Sequence, residues 1–405
     1  MVAPELIFGL IPTWIGVYVI SASTFGIAIF VLYERVLRLV ILGNHINRFN
    51  YPIRRIIGTI PLTIGQSKVL KSTSMKDRAG LSHLFIFWGF ISFTLSYILF
   101  IYGDTLWYPI SRLLFANSVH HPLSHMILGD TGVRLFSAYI DILCVLFLVV
   151  LIWASFRRWI SKPHRLTFDL TQRWESAIIL IVIALLMILT LLTEAFYIAS
   201  GGNGPEASVP AGIIIANFVH EIGLDQETVS SLHALSWWAH LLIILGFGIY
   251  IPISKHMHIL ASPISFMTRK LEPKGTLSTP QDLETSERFG ASRVQDFTWK
   301  ELLDGYACAV CGRCTEVCPA NRGGGKLDPK NHFILNLKDP LLNNQLDVVN
   351  EIDVDAGWEC TTCQACSQVC PVGNEVEKSD EIRNVQVLVE GKVPQEYQKL
   401  FTNLQ

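Results

Sequence analysis

Cys308-Ala-Val-Cys311-Gly-Arg-Cys314-Thr-Glu-Val-Cys318-Pro319 returns, at the same spacing, as Cys360-Thr-Thr-Cys363-Gln-Ala-Cys366-Ser-Gln-Val-Cys370-Pro371. Eight of the nine cysteines lie in these two runs. Three closely spaced thiolates followed by a fourth before proline is the ligand spacing of a [4Fe–4S] cluster. In two-cluster versions the fourth cysteine of each run serves the other cluster. The reading therefore assigns Cys308, Cys311, Cys314 and Cys370 to one cluster, and Cys360, Cys363, Cys366 and Cys318 to a second. Structural zinc prefers two separated pairs of ligands. Disulfides need an oxidising compartment and do not explain two identical spacings. Two [4Fe–4S] clusters imply one-electron transfer, so the rest of the chain must bring electrons in and take them away.

Outward from the cysteines the pattern is helical. Asp296 to Tyr306 leads into the first run. Between Cys318 and Cys360 lie 41 residues, where Ile334-Leu335 and Leu346 to Ile352 are expected to be helical. Two short amphipathic helices are expected after Cys370, over 375–391 and 394–404. The second carries an apolar periodicity (Leu400, Phe401, Leu404) with no capping signal, read as a docking surface or a truncation. Upstream, 259–295 reads as a polar linker with Pro263, Pro273, Gly275 and Pro280. The expected organisation is a membrane domain over 1–258, this linker, and an iron–sulfur domain over 296–405.

The first 260 residues hold the apolar excess. The 405-residue chain is 50% hydrophobic and 16% charged, with mean hydropathy +0.39. A globular protein carries about 25% charged residues. Windows near 11–33, 82–103, 135–156, 176–197 and 232–254 are each long enough to span a bilayer, which takes about 20 apolar residues. Residues 34–80 carry nine Lys or Arg and 157–173 carry five, whereas 103–134 carry two and 198–231 none. The positive-inside rule then puts the N-terminus outside and the iron–sulfur domain in the cytoplasm of a cell (inner) membrane. Met1 to Leu10 lacks a basic n-region, so no cleavable signal is expected. Around Ile213 to Val219 a short helix is expected along the outer surface, and Arg54-Arg55-Ile56-Ile57 reads as an interfacial stretch that either supports the iron–sulfur domain or contacts lipid.

Histidines offer the electron path into the bilayer, because imidazole is a good axial ligand for haem b. No Cys-x-x-Cys-His occurs, which argues against c-type attachment. His83 lies at the inner end of span two and His258 just beyond span five, with His256 as a substitute; these are the inner-haem candidates. His240 lies deeper in span five, about 12 Å from its outer edge at 1.5 Å per residue. It sits 18 residues before His258, five whole turns on an unbroken helix, with Pro252 between them. A second ligand at His240's depth would come from His120, His121 or His125 in the outer loop, or from His233. One haem or two are open at this stage.

At these residues the membrane half resembles the γ subunit of respiratory nitrate reductase, which implies a five-helix transmembrane bundle with haem b between spans two and five. That family carries two ligand histidines in span two; here His83 stands alone and Phe93 occupies the position ten residues on. The C-terminal half, with Cys-Gly-Arg-Cys at 311–314 and Trp-Glu-Cys-Thr-Thr-Cys at 358–363, resembles the α-helical ferredoxin domain of heterodisulfide reductases. The fold expected is therefore all-α. The fusion resembles the membrane-bound iron–sulfur oxidoreductases of the electron-transfer-flavoprotein:menaquinone oxidoreductase type, which continue into cysteine-rich CCG domains. The resemblance implies a cytoplasmic electron-transfer flavoprotein or CCG-domain iron–sulfur subunit as donor and menaquinone as acceptor.

Quinone reduction also takes up protons. Ionisable groups within spans are functional candidates, so Asp141, Glu194 and His233 are the expected proton carriers. Each has a plainer reading: Asp141 paired with Arg134, Glu194 at a wet helix end, His233 facing water. The alternative function is a membrane anchor and electron conduit for a heterodisulfide-reductase-like complex whose CCG subunit is separate. Neither a P-loop nor Gly-x-Gly-x-x-Gly occurs, and nothing points to nucleic acid. Cys144 in span three reads as packing.

Overall fold

The computed structural model describes residues 2–4, 6–7, 11–71, 78–114, 122–166, 170–273, 276, 289–343, 353–375 and 378–404. Apart from a two-residue antiparallel pairing of Leu6–Ile7 with Ile11–Pro12, these residues form an all-α structure. Five helices are long and apolar enough to cross a membrane: Thr13–Ile41, Ala79–Ser111, Leu123–Ser161, Gln172–Ala199 and Gln226–Ile253. Each runs beyond the window expected from hydropathy, because the polar residues flanking each apolar core continue the same helix. At most 39% of any span's apolar window is buried in protein. Faces such as Ile29, Phe30, Leu135, Ile152 and Ile181 lie open, as a lipid-facing surface requires.

The chain divides into two units. The first comprises Met1–Ala28, Met75–Pro163 and Phe168–Tyr250. Within it span four packs on span five and on the helix Pro210–Ile222, which extends the surface helix expected near 213–219. Span three packs on spans two and four around Phe147, whose ring meets Phe93 edge-on at 5.5 Å. Gly89 makes that crossing close: a Cβ there would stand 2.2 Å from the Phe147 ring, and small residues let membrane helices approach. Span three starts on a carboxylate, with Ser124 donating its backbone N–H and its hydroxyl to Asp104, both at 2.7 Å.

The second unit takes in Ile29–Ser74, His164–Thr167 and Ile251–Gln405. It is discontinuous in sequence, where one C-terminal run from 296 was expected. The expected linker also contains the helix His258–Met267. The core of this unit joins Val36 and Leu39 to Met257, Ala261, Phe297, Leu302, Tyr306, Phe333 and Leu337. Asn44 and Thr298 form a parallel bridge, and the Tyr306 hydroxyl donates to the Arg35 carbonyl at 2.7 Å. The helix Pro52–Thr63 contains the basic-apolar stretch at 54–57. Its Arg55 donates to the carbonyls of Met267 (3.1 Å) and Arg269 (2.6 Å), the cation position that suits a helix C-terminus. The stretch thus supports the unit that holds the cysteines, while Ile53, Ile56, Ile57 and Ile60 on the same helix stay exposed. The expected helix at Leu346 to Ile352 lies outside the described residues.

Candidate functional site

Helix Trp299–Ala307 delivers the chain to the first cysteine. It opens on a reciprocal cap in which Thr298 N–H donates to Glu301 and Glu301 N–H donates back to the Thr298 hydroxyl. From Cys308 onward two loops repeat one another at an offset of 52 residues. Val310 and Thr362 hold positive φ (53° each), and so do Gly312 (70°) and Gln364 (57°). Short helices follow, Arg313–Val317 and Ala365–Val369, packed on each other. Both end on an extended cysteine, Cys318 (φ −65°, ψ 121°) and Cys370 (φ −61°, ψ 118°), before proline. Alternating positive φ turns successive N–H groups to one side, the backbone concavity found at many anion and iron–sulfur sites.

Packing of the two short helices sorts the cysteines. Cys318, Cys360, Cys363 and Cys366 line one cavity of about 460 Å³, counting its space open to solvent. The remaining four interact electrostatically: Cys308 and Cys314 with Cys311 and Cys370. Burial pushes the Cys308 thiol up to about 11 and the Cys366 thiol up to about 12, and it also raises Cys314, Cys360 and Cys370. A thiolate at such a site needs positive charge beside it, so loading with iron releases protons. Backbone N–H groups of Val310, Thr362 and Asn374 reach the sulfurs of Cys308, Cys360 and Cys370, the last at 3.4 Å. Among the described residues no three His, Cys, Asp or Glu side chains stand together as ligands of a single metal ion. Both four-cysteine sets, with N–H donors around the sulfur, fit the ligand chemistry of [4Fe–4S] clusters.

Several residues around the sulfurs went unnoticed in the sequence. Lys338, 4% exposed on the helix Asn336–Leu342, acts electrostatically on both Cys308 and His258. Lys68 acts on Cys370. Arg383 donates to the Cys360 carbonyl at 2.8 Å. Beneath the loops Asp304, fully buried, accepts from Lys300 (2.5 Å), Ser265 (3.0 Å) and the Glu375 N–H (2.9 Å), with the Lys378 ammonium at 3.6 Å. A lysine at helical spacing carries no sequence signal for such a place, since the same pattern serves a solvated face.

The histidines divide between the units. His83 lies half-buried in span two, in the first unit. His258 lies in the second, where Ser254 is extended and interrupts the helix after Ile253. The 18-residue face match of His240 with His258 therefore does not carry through, because the 3.6-residue period is lost at this break. His258 faces the Lys255 carbonyl through Nδ1 at 2.6 Å, which sets Nε2 as the acceptor nitrogen and suits an axial ligand. Burial holds its imidazole below the ordinary histidine range, in the neutral form that binds iron. The His256 ring lies 5.6 Å from that of His258.

Among the described residues the outer set is held by protein contacts. His240, at the middle of span five, bonds the Tyr97 hydroxyl through Nε2 and faces the Thr190 hydroxyl through Nδ1 at 3.5 Å. His233 faces the Val2 carbonyl at 3.1 Å. His125 is engaged by Glu206 and by Asp130. His120 and His121 lie outside the described residues. Of the proton-carrier candidates, Asp141 is fully buried and accepts the backbone N–H of Ala211 (2.6 Å) and Gly212 (3.1 Å). It caps the helix Pro210–Ile222 instead of pairing with Arg134, which reaches the Ser208 hydroxyl. Glu194 is buried in span four beside Gly212.

Fold and site together define an all-α membrane protein with an iron–sulfur domain. The family model for the 4Fe-4S dicluster domain matches residues 300–371. The chain is 31% identical over 389 residues to a "Probable iron-sulfur-binding oxidoreductase FadF" of Bacillus subtilis, covering 84% of this chain and 51% of the relative. It is 28% identical over 437 residues to an "EtfAB:quinone oxidoreductase" of Syntrophomonas wolfei, covering 96% and 57%. A shorter stretch of 109 residues is 31% identical to an iron–sulfur subunit of the CoB–CoM heterodisulfide reductase of Methanopyrus kandleri, covering 26% of this chain and 52% of that relative. The similarity is thus to iron–sulfur oxidoreductases of the EtfAB:quinone type. The chain spans about half the length of the curated relatives it matches in this way. No solved structure matches.

Proposed function

We propose that the chain conducts electrons from a cytoplasmic flavoprotein or CCG-domain iron–sulfur subunit, through two [4Fe–4S] clusters and haem b, to menaquinone in the cell membrane. The observation that supports the reading is the repeated loop, in which the positive φ of Val310 and Gly312 recurs at Thr362 and Gln364 within the two cysteine runs. The clusters and the haem supply one-electron chemistry when bound. The protein's part is to hold the thiolates, to place N–H donors and Lys338 where negative charge develops, and to exclude water. His258 with a set Nδ1 contact, His83 and His256 are the candidate haem ligands. Glu194 remains a candidate for moving protons, whereas Asp141 is occupied by the helix it caps. The loop charges support an outside N-terminus and a cytoplasmic iron–sulfur unit.

Similarity to the heterodisulfide reductase iron–sulfur protein favours a second reading, in which the chain is an electron conduit and catalysis belongs to another subunit. A redox-resolved visible spectrum of the membrane-purified protein, with a pyridine haemochrome count, tests the first reading. A b-type spectrum together with menaquinone-analogue reduction by a reduced flavoprotein is expected. Clusters without haem would remove the proposed path into the bilayer, and turnover only on addition of another subunit would favour the conduit.

A further inference from the structure

We infer that electrons reach this chain at the second cysteine loop, across the open edge formed by residues 361–364, from a protein that presents its own one-electron centre there. The inference rests on the iron–sulfur reading and adds an order to it: the second loop is the port, and the first is the inner station.

The two loops share a backbone but not an environment. Cys363 is exposed, whereas the other seven cysteines of the runs are buried or half-buried. Thr361 beside it is exposed as well, and the cavity lined by Cys318, Cys360, Cys363 and Cys366 opens at this edge. The first loop is covered. Gly312 lies so close to the Arg165 carbonyl that a Cβ there would stand 2.0 Å from its oxygen. The Lys68 side chain, over the Phe266 ring at 5.6 Å, reaches the Ser367 carbonyl at 3.5 Å and acts on Cys370, the cysteine of the second run assigned to the first set. Arg165 belongs to the segment between spans three and four, so the first loop is closed over by another segment of the same unit, while Thr361 and Cys363 stay open. Cys308 itself is 8% exposed.

Around the open edge the surface is mixed. Trp358, two residues before Cys360, stacks on Tyr397 at 5.2 Å, and Tyr397 and Leu400 are exposed on the helix Gln395–Leu404. A polar group stands on the same short segment, where Lys326 pairs with Asp355 at 3.2 Å and with Asp353 at 3.6 Å. A surface of mixed apolar and charged groups suits brief encounters between redox proteins, which bury less than about 1,200 Å². The step is a bare electron transfer: the partner's centre is oxidised by one electron, the second cluster is reduced by one, and no proton or bond is exchanged.

The test uses the full chain in lipid nanodiscs, reduced with dithionite. Electron paramagnetic resonance power saturation is measured with and without a soluble dysprosium chelate, and the signals are assigned with Cys363→Ser and Cys311→Ser. The signal altered by Cys363→Ser is expected to show the larger relaxation enhancement. Equal enhancement of both signals, or a larger one for the signal altered by Cys311→Ser, overturns the order. In a second arm Thr361→Glu and Leu400→Glu, at unchanged iron content, are expected to slow reduction by a reduced flavoprotein severalfold while leaving the dithionite rate as it is. Unchanged rates with the protein donor overturn the port. Absence of any [4Fe–4S] signal would instead sink the iron–sulfur reading on which the order rests.

Discussion

Val310 and Thr362, 52 residues apart, adopt the same left-handed backbone conformation, with φ 53° in both. Both are β-branched, for which positive φ is an outlier costing on the order of 1–3 kcal/mol each. Such strain persists only where the surroundings over-determine it. Here the turn is fixed by the cysteines on either side, and its reward is an N–H aimed at the sulfur of Cys308 or Cys360.

The same turn continues into Gly312, which predicts a sharp contrast between two glycines. Gly312→Ala meets both a φ of 70° and the Arg165 carbonyl at 2.0 Å, so the loop must move. Loss of about half the iron and acid-labile sulfide is expected. Gly324→Ala has φ 89° with nothing within 4 Å, so it should cost only about 1–2 kcal/mol and keep the iron. Iron and sulfide per chain, measured on both variants, check this.

Removal of the Asp304 charge strands two buried ammonium groups, Lys300 and Lys378. Asp304→Asn should destabilise the protein by about 3–5 kcal/mol, as breaking a buried pair does. Burial alone would raise this carboxyl, but Lys300 and Lys378 outweigh it and hold it below the usual range. A depressed carboxyl contributes stability above its unfolded value near 3.9 and loses it as pH falls through the folded value. Burial raises Glu301 on the same helix, so that group opposes stability above its own unfolded value. Thermal melting from pH 7 down to 3 should therefore show a flatter acid limb in Asp304→Asn than in the parent.

Lys338 should set the potential of the first cluster. A reduced cluster carries one more negative charge, and a buried ammonium beside Cys308 favours it. Lys338→Met should lower that cluster's midpoint by on the order of tens of millivolts, with Lys338→Arg restoring most of it. Redox titration followed by paramagnetic resonance reads the shift, and an unchanged midpoint would show that the charge is screened from the cluster.

Asp141→Ala leaves the first N–H groups of the Pro210–Ile222 helix without their acceptor. A loss of about 1–3 kcal/mol is expected, less for Asp141→Asn, which keeps one carbonyl oxygen. The pH profile of quinone reduction should stay as it is in Asp141→Asn. A displaced profile would return Asp141 to the proton path.

Much of this architecture was legible in the sequence. Five apolar windows gave five long helices because bilayer thickness sets a minimum length that composition alone reveals. Cysteine spacing announced the iron–sulfur domain because three thiolates at two-residue gaps cannot spread far along the chain, and the 4Fe-4S dicluster family model matches residues 300–371. What stayed hidden depended on contacts distant in sequence. Arg55 and Trp299 tie the segment after span one into the iron–sulfur unit by hydrogen bonds to Met267, Arg269 and Ile46, and no local pattern announces such pairings. The face match of His240 with His258 failed because Ser254 is extended, a break that counting whole turns between the two histidines does not locate. Asp141 read as a proton carrier or a partner of Arg134 because its actual partners are the backbone N–H groups of Ala211 and Gly212, which side-chain patterns do not report.

The central claim is that each cysteine run lends its fourth ligand to the other cluster. Paramagnetic resonance of Cys318→Ser and Cys370→Ser, each compared with Cys363→Ser and Cys311→Ser, tests it most directly. The account predicts that Cys318→Ser perturbs the same signal as Cys363→Ser, and that Cys370→Ser perturbs the same signal as Cys311→Ser. If Cys318→Ser instead alters the Cys311 signal and leaves the Cys363 signal intact, each run closes on its own cluster and the account is contradicted.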